Sequence, residues 1–547
     1  MNPGFSSPEN QKETTMQIAQ TNQNEMEREP RIGHERGRSS VAGVVMKTCC
    51  SIAALVAVLS AGAIAGQIAV PTFLTNGDLS ISYTGTPGNN YAAEWTDSLI
   101  PPMTWTPLLT NTADSNGLVS FTNTPAGSQT FYRVHDVTPG AIPLVYAVEN
   151  TGANYPAPPL PTLGNLSRIS LLPDPFAWAA VPLGSTRSTN FVDWEHHRNE
   201  IAAQIENYEI GTKPAVDIPS QVTASYSGGT TAGSSGTLTV YVTVGTNTLT
   251  LTSPISIPSG ATAPYPVCIG MDSPYGSLNA SDFTSRGIAG VTYSESQVTT
   301  YGDPQNTDPY YTLYGPALNT TSTGQYSAWA WGVSRIIDGL TLVTNTLPID
   351  LNHICVTGCS YAGKLALFSG AFDERVALTV AQESGGGGAT SWRYSHTQPS
   401  GTVEDIDNTD YDWFEDSMSQ FSGNNVSYLP EDHHELMAMC APRALYVTAN
   451  TNYTWLSNPS CYVCSRACHQ VYNTLGIPDR FGFNVDWGHW HCAFPSDQES
   501  DLQYFLNKFM LGQTNLSTIV ATYPNTKDYY TIGYAHWYAW WGTGNPN

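Results

Sequence analysis

The chain has 547 residues, more than one ordinary domain requires, and it is rich in glycine, proline and aromatic residues while only 12% of its residues are charged. Its formal net charge of −24 at pH 7 would repel nucleic-acid phosphates, so the composition excludes a nucleic-acid-binding protein. Ten cysteines are too few to build a chain of this length around disulfides, but they suit an exported enzyme that carries a few.

The N-terminal region carries the signals of export. Residues 46–65 combine a lysine, an apolar run and a small-residue site, which is the pattern of a signal peptide cleaved after Ala65. Residues 1–45 are polar and of mixed charge, so we predict a disordered extension, or an untranslated stretch if translation starts at Met46. We therefore expect a secreted protein without stable membrane insertion after cleavage. A retained anchor is the alternative, because the uncharged run is just long enough to span a bilayer.

Residues 66–138 are predicted to form a small all-β module. Short runs of apolar and β-branched residues are separated there by clusters of glycine, proline, asparagine and serine, which is typical of strands joined by turns. Aromatic residues such as Trp95 and Trp105 either fill the core of the module or bind a polysaccharide, and the core is the commoner place for them. Residues 139–154 are predicted to be a linker.

Residues 155–515 are predicted to form one α/β domain. Apolar runs of strand length alternate with stretches of helical spacing, which indicates a mostly parallel sheet covered by helices on both faces. Residues 516–547 are an aromatic tail that either packs on the surface or is partly disordered. The predicted helices cover 197–208, 327–340, 364–372, 464–475 and 502–510, and the predicted strands cover 265–271, 353–357, 376–380, 443–448 and 481–485, after antiparallel strands within 220–257.

Ser360 stands between a predicted strand and a predicted helix, and it is flanked by Gly358 and Gly363. A serine on so sharp a turn is a nucleophile elbow, in which small neighbours permit the turn and the hydroxyl stands clear above the sheet. The N–H groups at the start of the following helix point into the same space, where they help to hold a developing oxyanion. The spacing G-x-S-x-x-G differs from the commoner G-x-S-x-G, and a serine that only caps the helix is the alternative.

A nucleophilic serine needs a base and an orienting acid, which follow in the order serine, acid, histidine in this type of sheet. Glu383 comes shortly after a predicted strand and precedes a run of glycines, so we expect its carboxylate at the carboxyl end of the sheet; the alternative is a loop acid that caps a helix. His491 follows the last predicted strand, with His489 as its nearby rival. The sequence therefore predicts a triad of Ser360, Glu383 and His491.

Four motifs characterise this domain: GCSYAGK at 358–364, QESGGGG at 382–388, SWR at 391–393 and GHWHCAFP at 488–495. In combination they resemble the glucuronoyl esterases of carbohydrate esterase family 15, over roughly residues 155–515. The resemblance implies an α/β-hydrolase fold, a three-layer sandwich around a mostly parallel sheet. It also implies hydrolysis of the ester between a lignin alcohol and 4-O-methylglucuronic acid on xylan, with no metal and no cofactor.

By that resemblance Ser360 is the nucleophile, Glu383 the triad acid and His491 the base. Relatives also join the cysteine before the serine to the cysteine after the histidine by a disulfide, here Cys359 and Cys492. Such a crosslink would hold serine and base in register. Some relatives carry the acid after a later strand, where this chain has asparagines, Asn450 and Asn452.

The resemblance also implies contacts with the sugar. Lys364 matches the family's sugar-binding lysine and Trp455 its sugar-contacting tryptophan, although Lys364 could equally be a helix-surface residue. Glu404 matches a glutamine or glutamate that binds the same hydroxyls, with Asp405 or Asp410 as alternatives.

Two positions depart from the family pattern. Tyr361 replaces an arginine thought to help stabilise the oxyanion, and a tyrosine donates one hydrogen bond but carries no charge. Ser391 replaces a cysteine, so Cys464 at its partner's position must pair elsewhere or stay free. Cys461 and Cys468 are close in sequence, and in an exported chain we expect a disulfide among these cysteines rather than a metal site.

The leading hypothesis is a secreted, monomeric glucuronoyl esterase that forms an acyl-enzyme on Ser360 and takes glucuronoxylan or a lignin–carbohydrate ester as its substrate. A second hypothesis keeps the triad but changes the substrate to another carbohydrate or aryl ester, because Tyr361 replaces the arginine. A third is a carbohydrate-binding protein whose esterase domain has lost activity, and the complete set of triad residues argues against it.

Overall fold

The computed structural model describes residues 14–19, 67–68, most of 71–136, and 142–149, 155, 159–179, 187–513, 516 and 533–538; within 71–136 it leaves out 76–77, 86, 97–105 and 125–128. The predicted signal peptide at 46–65 lies outside the described residues. The chain divides into two compact units, Met1–Ile142 and Pro143–Asn547. Of the helices described, none has both the length and the apolar character needed to cross a membrane.

The first unit is all-β, as the sequence predicts. Its strands form one sheet in the order β1-β8-β5-β6 and a second in the order β2-β4-β3, with β7 also paired to β4. Alternate residues point inward, so that Ile81, Phe121 and Tyr132 are buried in one cluster. The strands are β1 (Thr14–Ala19), β2 (Gln67–Ile68), β3 (Thr72–Phe73), β4 (Leu79–Thr84), β5 (Asn90–Thr96), β6 (Thr106–Thr112), β7 (Leu118–Asn123) and β8 (Gln129–Asp136).

Strand β1 lies in the segment for which the sequence predicts no structure. Residues Thr14–Ala19 pair antiparallel with β8 along their whole length. Without β1 this side of β8 would be a sheet edge with unpaired N–H and C=O groups, and the pairing satisfies them. The prediction of a disordered extension therefore does not hold for these residues, and the rest of 1–45 lies outside the described part of the chain.

The second unit is built on a nine-stranded sheet in the order β17-β16-β15-β14-β12-β13-β11-β10-β9. Strands β12 to β17 are parallel to one another, whereas β11, β10 and β9 continue the sheet antiparallel. The carboxyl ends of the parallel strands therefore meet at one edge, where functional residues of such sheets collect. These strands are β9 (Val222–Gly228), β10 (Ser235–Val244), β11 (Asn247–Ser256), β12 (Tyr265–Met271), β13 (Ala289–Tyr293), β14 (Ile349–Cys359), β15 (Leu378–Gln382), β16 (Ala444–Asn450) and β17 (Phe481–Asp486).

Helices cover the sheet and confirm the predicted three-layer α/β sandwich. Successive contacts join α4 to α5, α5 to α7 and α7 to α8 in one layer, and α4 is buried along nearly its whole length. Leu502 and Phe505 pack with Phe283 and Tyr446 in a separate core cluster. The helices are α1 (Trp194–Ile205), α2 (Ala280–Thr284), α3 (Pro309–Tyr314), α4 (Gln325–Leu342), α5 (Tyr361–Ala371), α6 (Trp392–His396), α7 (His433–Ala438), α8 (Asn458–Thr474) and α9 (Ser496–Phe505).

The segment predicted to be a linker is partly built into the second unit. Glu149 forms ion pairs with Lys213 and Arg335, and the side chain of Leu144 packs against the core. The N–H of Tyr146 donates to the carbonyl of Glu374 at 3.0 Å. Burial raises and these cations lower the pKa of Glu149, and the net effect is a lowered pKa. Residues 143–149 therefore belong to the α/β unit and not to a linker.

Part of the aromatic tail packs on the α/β unit. Residues 533–538 are described, and Tyr538 is buried in a cluster with Leu172 and Val463. The hydroxyl of Tyr534 accepts a hydrogen bond from Arg466 at 2.8 Å. Packing, the first of the two alternatives for the tail, therefore holds for these residues.

The cysteines of α8 do not form the expected disulfide. Cys461, Cys464 and Cys468 are all free and buried. They lie three and four residues apart on one helix, where the Cβ atoms of such neighbours are about 5–6 Å apart. A disulfide needs Cβ atoms about 3.5–4.5 Å apart, so these cysteines cannot pair with one another on this helix. Ser391, at the position of the family's cysteine, caps α6 instead, and its hydroxyl donates to Asp432 at 2.8 Å.

Candidate active site

Ser360 occupies a strained turn between β14 and α5, with φ of 60° and ψ of −127°. The turn requires glycine on both sides. A Cβ on Gly358 would lie 2.2 Å from the carbonyl oxygen of Ala362, and one on Gly363 would lie 2.4 Å from that of Gln382. Gly363, the last glycine of the unusual G-x-S-x-x-G spacing, is thus needed for close contact with β15. Ala362 occupies the position of the second glycine in the commoner G-x-S-x-G motif. The structure therefore has the strained strand-to-helix turn that a nucleophile elbow requires, and the role of Ser360 as nucleophile stays a prediction.

Glu383 directly follows β15, and its side chain is fully buried. One carboxylate oxygen, Oε2, lies 2.7 Å from Nδ1 of His491. The backbone of Glu383 is also strained, with φ of 44°, and its N–H donates to the carbonyl of Thr448 in β16 at 2.8 Å. The carboxylate is therefore fixed where it can orient the imidazole and stabilise its protonated form.

His489 makes a weaker contact with the same carboxylate. Its Nδ1 lies 3.7 Å from Oε1 of Glu383 and 3.1 Å from the side-chain nitrogen of Asn450. Asn450 also donates to the carbonyl of His489 at 3.1 Å. An asparagine at the end of β16 therefore holds the histidine loop, and the geometry favours His491 over His489 as the partner of Glu383.

A disulfide joins Cys359 to Cys492, as the resemblance implies. It links the residue before Ser360 to the residue after His491, across 133 positions of sequence. Nε2 of His491 is buried and has no hydrogen-bond partner among the described residues. This nitrogen is therefore available to a serine hydroxyl, and the short hydrogen bond between catalytic residues often forms only when substrate binds.

The hydroxyl of Tyr361 bonds to two acids rather than pointing freely into the site. It lies 3.0 Å from Oδ2 of Asp272 and 3.2 Å from Oε1 of Glu295. Burial, followed by the negative charge of Glu295, raises the pKa of Tyr361, so its hydroxyl stays protonated and acts as the donor. Burial and the nearby Asp272 also raise the pKa of Glu295. The side chain at the position of the family's arginine therefore donates to a carboxyl pair. The group of Tyr361 that could donate to the predicted oxyanion is then its backbone N–H.

Lys364 is buried on α5 and is not a helix-surface residue. Its ammonium donates to Oε2 of Glu404 at 2.8 Å and lies 4.4 Å from the ring centre of Trp413. The other oxygen of Glu404 accepts from the hydroxyl of Thr409 at 2.9 Å. A Cβ on Gly386 would lie 2.5 Å from the carbonyl oxygen of Glu404, so the glycine run lets this loop approach.

Trp455 lies beside His491, the predicted base. Its ring stands edge-on to that of His491 with 4.8 Å between centres, and 43% of the residue is exposed. The carbonyl of Trp455 accepts from the N–H of Glu404 at 3.2 Å, which ties the two predicted sugar contacts together. The hydroxyl of Tyr453 accepts from the N–H of His491 at 2.8 Å.

The two alternatives to Glu404 are engaged in their own loop. Oδ1 of Asp405 accepts from the N–H of Asp407 at 3.0 Å, and Oδ1 of Asp410 accepts from the N–H of Asp412 at 3.0 Å. Glu404 is the one of the three that bonds to Lys364. The structure therefore favours Glu404 as the acid at the predicted sugar site.

Two groups of described residues bring three potential metal-ligand atoms within 4.8 Å of one another. One consists of the two disulfide sulfurs and His491, and sulfurs joined to each other are not thiolate ligands. The other is His396 with Asp405 and Asp407, and it contains no residue of the predicted triad.

Sequence reasoning missed the residues that support the site from a distance. Asp272 and Glu295 follow β12 and β13, and only the sheet topology brings them to Tyr361. Trp413 and Tyr453 carry no motif of their own, although Tyr453 stands two residues before the predicted Trp455. Position at the carboxyl end of a parallel strand was the one signal that could have indicated Asp272.

Comparison with known proteins agrees with this geometry. Residues 240–476 match the family model for fungal glucuronyl esterases. The chain is 40% identical over 375 residues to 4-O-methyl-glucuronoyl methylesterase 1 of Wolfiporia cocos, covering 66% of this chain and 84% of that protein.

Solved structures match over a similar share of the chain. The catalytic domain of the Hypocrea jecorina glucuronoyl esterase aligns with a TM-score of 0.59 and 35% identity, over 68% of this chain and 95% of that one. A mutant glucuronoyl esterase from Sporotrichum thermophile, in complex with methyl 4-O-methyl-β-D-glucopyranuronate, aligns with a TM-score of 0.59 and 33% identity, over 71% and 96%. The chain therefore belongs to the glucuronoyl esterase family and is a carboxylic ester hydrolase of the α/β-hydrolase fold.

Proposed function

We propose that this protein hydrolyses esters of 4-O-methylglucuronic acid on glucuronoxylan, with Ser360 as nucleophile, His491 as base and Glu383 as the orienting acid. The observation that carries the proposal is the 2.7 Å contact between Glu383 and Nδ1 of His491 beside the elbow that presents Ser360. A solved relative with methyl 4-O-methyl-glucopyranuronate bound supports the choice of acyl group.

The first half of the reaction forms an acyl-enzyme. Nε2 of His491 takes the proton of the Ser360 hydroxyl while the oxygen attacks the uronoyl carbonyl carbon. Glu383 stabilises the imidazolium that results. The tetrahedral intermediate then expels the alcohol oxygen, which leaves with the proton from Nε2.

The second half releases the acid. A water molecule gives a proton to Nε2 of His491 and attacks the ester that now joins the uronoyl group to Ser360. Collapse of the second tetrahedral intermediate breaks the bond to the serine oxygen, which takes the proton back from Nε2, and releases the uronic acid group, still attached to xylan, from the enzyme. The N–H of Tyr361 and the start of α5 stabilise the oxyanion in both halves, and the fixed turn at Ser360 keeps these donors in place.

Binding of the sugar falls to the three residues that the resemblance implies. Lys364 and Glu404 present a positive and a negative group side by side, which suits the hydroxyls of a uronate ring. Trp455 offers a half-exposed aromatic face next to His491, on which a sugar ring can stack. Lys364 also supplies a local cation in a chain whose net charge is −24.

The protein acts, in this proposal, as a secreted monomer that meets its substrate in plant cell-wall material. The export pattern at 46–65 and the low charge content support secretion. An extracellular polymer substrate is consistent with both.

A substrate panel tests the proposal. We expect kcat/KM for methyl or benzyl glucuronate to exceed that for methyl galacturonate and for an aryl acetate by at least about tenfold, because only the glucuronate offers its hydroxyls to Lys364 and Glu404 in the right geometry. Tyr361 in place of arginine favours the second candidate, an esterase for another carbohydrate or aryl ester. Preference for the aryl acetate would establish that candidate instead.

A further inference from the structure

Two tryptophans beside the catalytic histidine are exposed to an unusual degree. Trp490 exposes 82% of its surface and Trp487 64%, the largest exposed fractions of any described tryptophan, tyrosine or phenylalanine. Indole is costly to leave in water, and two exposed indoles three positions apart in one loop mark an interaction site more often than a single exposed aromatic residue does. Both belong to the loop between β17 and α9, residues 487–495, which also carries His491.

The backbone that carries these side chains is anchored. The carbonyl of Trp490 accepts from the N–H of Ala493 at 2.9 Å, and the side chain of Asn450 donates to the carbonyl of His489 at 3.1 Å. The side chain of Asn452 accepts from the N–H of Gly488 at 3.2 Å. The loop therefore presents its indoles from a fixed backbone, which lowers the entropic cost of binding a ligand there.

The position of the loop relates it to one half of the substrate. Trp455, Lys364 and Glu404 account for the acyl sugar, and Trp455 stands against the ring of His491. Nε2 of His491 must reach the oxygen of the departing alcohol, so that alcohol lies next to this imidazole. Trp490 directly precedes His491 and Trp487 stands four positions before it, so both exposed indoles belong to the loop that carries this imidazole.

We infer that Trp487 and Trp490 form an aromatic platform that binds the alcohol moiety of the ester when that moiety carries an aromatic ring. The inference rests on the proposed function. A neutral aromatic ring gains stacking energy from an indole and pays no electrostatic penalty near a strongly acidic protein. A sugar chain of the polysaccharide is the other ligand that stacks on exposed indoles, and the experiment distinguishes the two.

The test compares three esters of glucuronic acid that share the acyl group, so that effects on sugar binding cancel. Methyl, cyclohexylmethyl and benzyl glucuronate are hydrolysed by the parent, by Trp490→Ala, by Trp490→Phe and by the double variant Trp487→Ala/Trp490→Ala. Tyr241→Ala is the control, because Tyr241 is an exposed aromatic residue on β10, away from the histidine loop.

We expect the double variant to lower the benzyl-to-methyl ratio of kcat/KM about fivefold to tenfold, the size of one or two aromatic contacts. The methyl ester should keep its kcat/KM within about twofold, and the cyclohexylmethyl ester should fall less than the benzyl ester because it offers no aromatic face. Trp490→Phe should keep most of the ratio, and Tyr241→Ala should leave it unchanged.

An equal fall on all three esters would contradict the inference, since it would mean that the loop only positions His491. An unchanged ratio would also overturn it. If the double variant at the same time lost its retention on insoluble xylan, the two tryptophans would be assigned to a polysaccharide surface instead. If the parent hydrolyses none of the esters, the proposed function fails. The platform is then tested by binding alone. Calorimetry compares the affinities for benzyl and methyl glucuronate of Ser360→Ala and of the same variant with both tryptophans also replaced by alanine.

Discussion

Tyr361→Phe removes a single oxygen from the residue after the nucleophile. That oxygen lies between Asp272 and Glu295, at 3.0 and 3.2 Å, and it donates to one of them at a time. The ring, which packs 4.6 Å from that of Tyr301, stays in place. The backbone N–H that we assign to the oxyanion is also retained. The variant therefore separates a role in the fold from a role in catalysis.

The expected magnitudes follow from those contacts. A hydrogen bond to a charged group contributes about 1.5–3 kcal/mol, and partial exposure of Tyr361 places this one near the lower end, so the free energy of unfolding should fall by about 1–2 kcal/mol. Burial and Asp272 raise the pKa of Glu295, and the hydroxyl opposes that shift. A carboxyl with a raised pKa costs the folded state stability as pH rises and the group ionises, and without the hydroxyl this cost grows. The difference in unfolding free energy between Tyr361→Phe and the parent should therefore be larger at pH 8 than at pH 5.

Urea unfolding at the two pH values and kcat/KM for methyl glucuronate provide the assay. We expect kcat/KM to stay within about threefold of the parent. Tyr301→Phe is the matched control, because it makes the same chemical change in the neighbouring ring. A fall of about 100-fold or more in kcat, the cost of deleting an oxyanion donor, with unchanged stability would refute this reasoning and assign the hydroxyl to the transition state.

Three further variants test other parts of the site. Lys364→Met should lower kcat/KM for methyl glucuronate at least about tenfold, mainly by raising KM, and should change kcat/KM for an aryl acetate by less than about threefold. An equal loss on both substrates would contradict a role of Lys364 in sugar binding. Replacing both Cys359 and Cys492 by serine should lower the free energy of unfolding by about 2–5 kcal/mol, because the disulfide closes a loop of 133 positions, and should also reduce kcat. A melting temperature equal to that of the parent would contradict this. Burial raises the pKa of Glu415 from an ordinary 4.5 to about 7, so the folded state loses stability as pH rises between these values and the carboxyl ionises. Glu415→Gln should therefore match the parent near pH 4.5 and be more stable by about 1–2 kcal/mol at pH 8, the shift being discounted for solvent screening. The same difference at both pH values would exclude the shift.

Much of the fold follows from local patterns. The run 265–271 is bounded by proline and by turn residues, and it became β12 with the predicted ends. The elbow was found because strand, small residues, serine and helix follow one another within a few positions. By contrast, β13 was missed, since its five residues AGVTY are too short and too rich in small residues to stand out.

The rest could not be predicted because it depends on contacts between distant positions. Tyr361 meets Asp272 and Glu295 across 89 and 66 residues, and nothing near Tyr361 in the sequence indicates them. Glu149 lies in a stretch whose sequence indicates a linker, and only the fold shows its ion pair with Arg335, 186 positions later. The three cysteines of α8 share a spacing that suggests pairing, but the helix separates their sulfurs.

The central claim is that Ser360 opens the ester of glucuronic acid with His491 as its base. The most direct test is the rate of methyl glucuronate hydrolysis by Ser360→Ala, with circular dichroism to show that the fold is kept. The account predicts a fall in kcat of about 10⁴-fold or more, the loss seen when a triad nucleophile is removed. A Ser360→Ala variant that hydrolyses methyl glucuronate at the parental rate would contradict it.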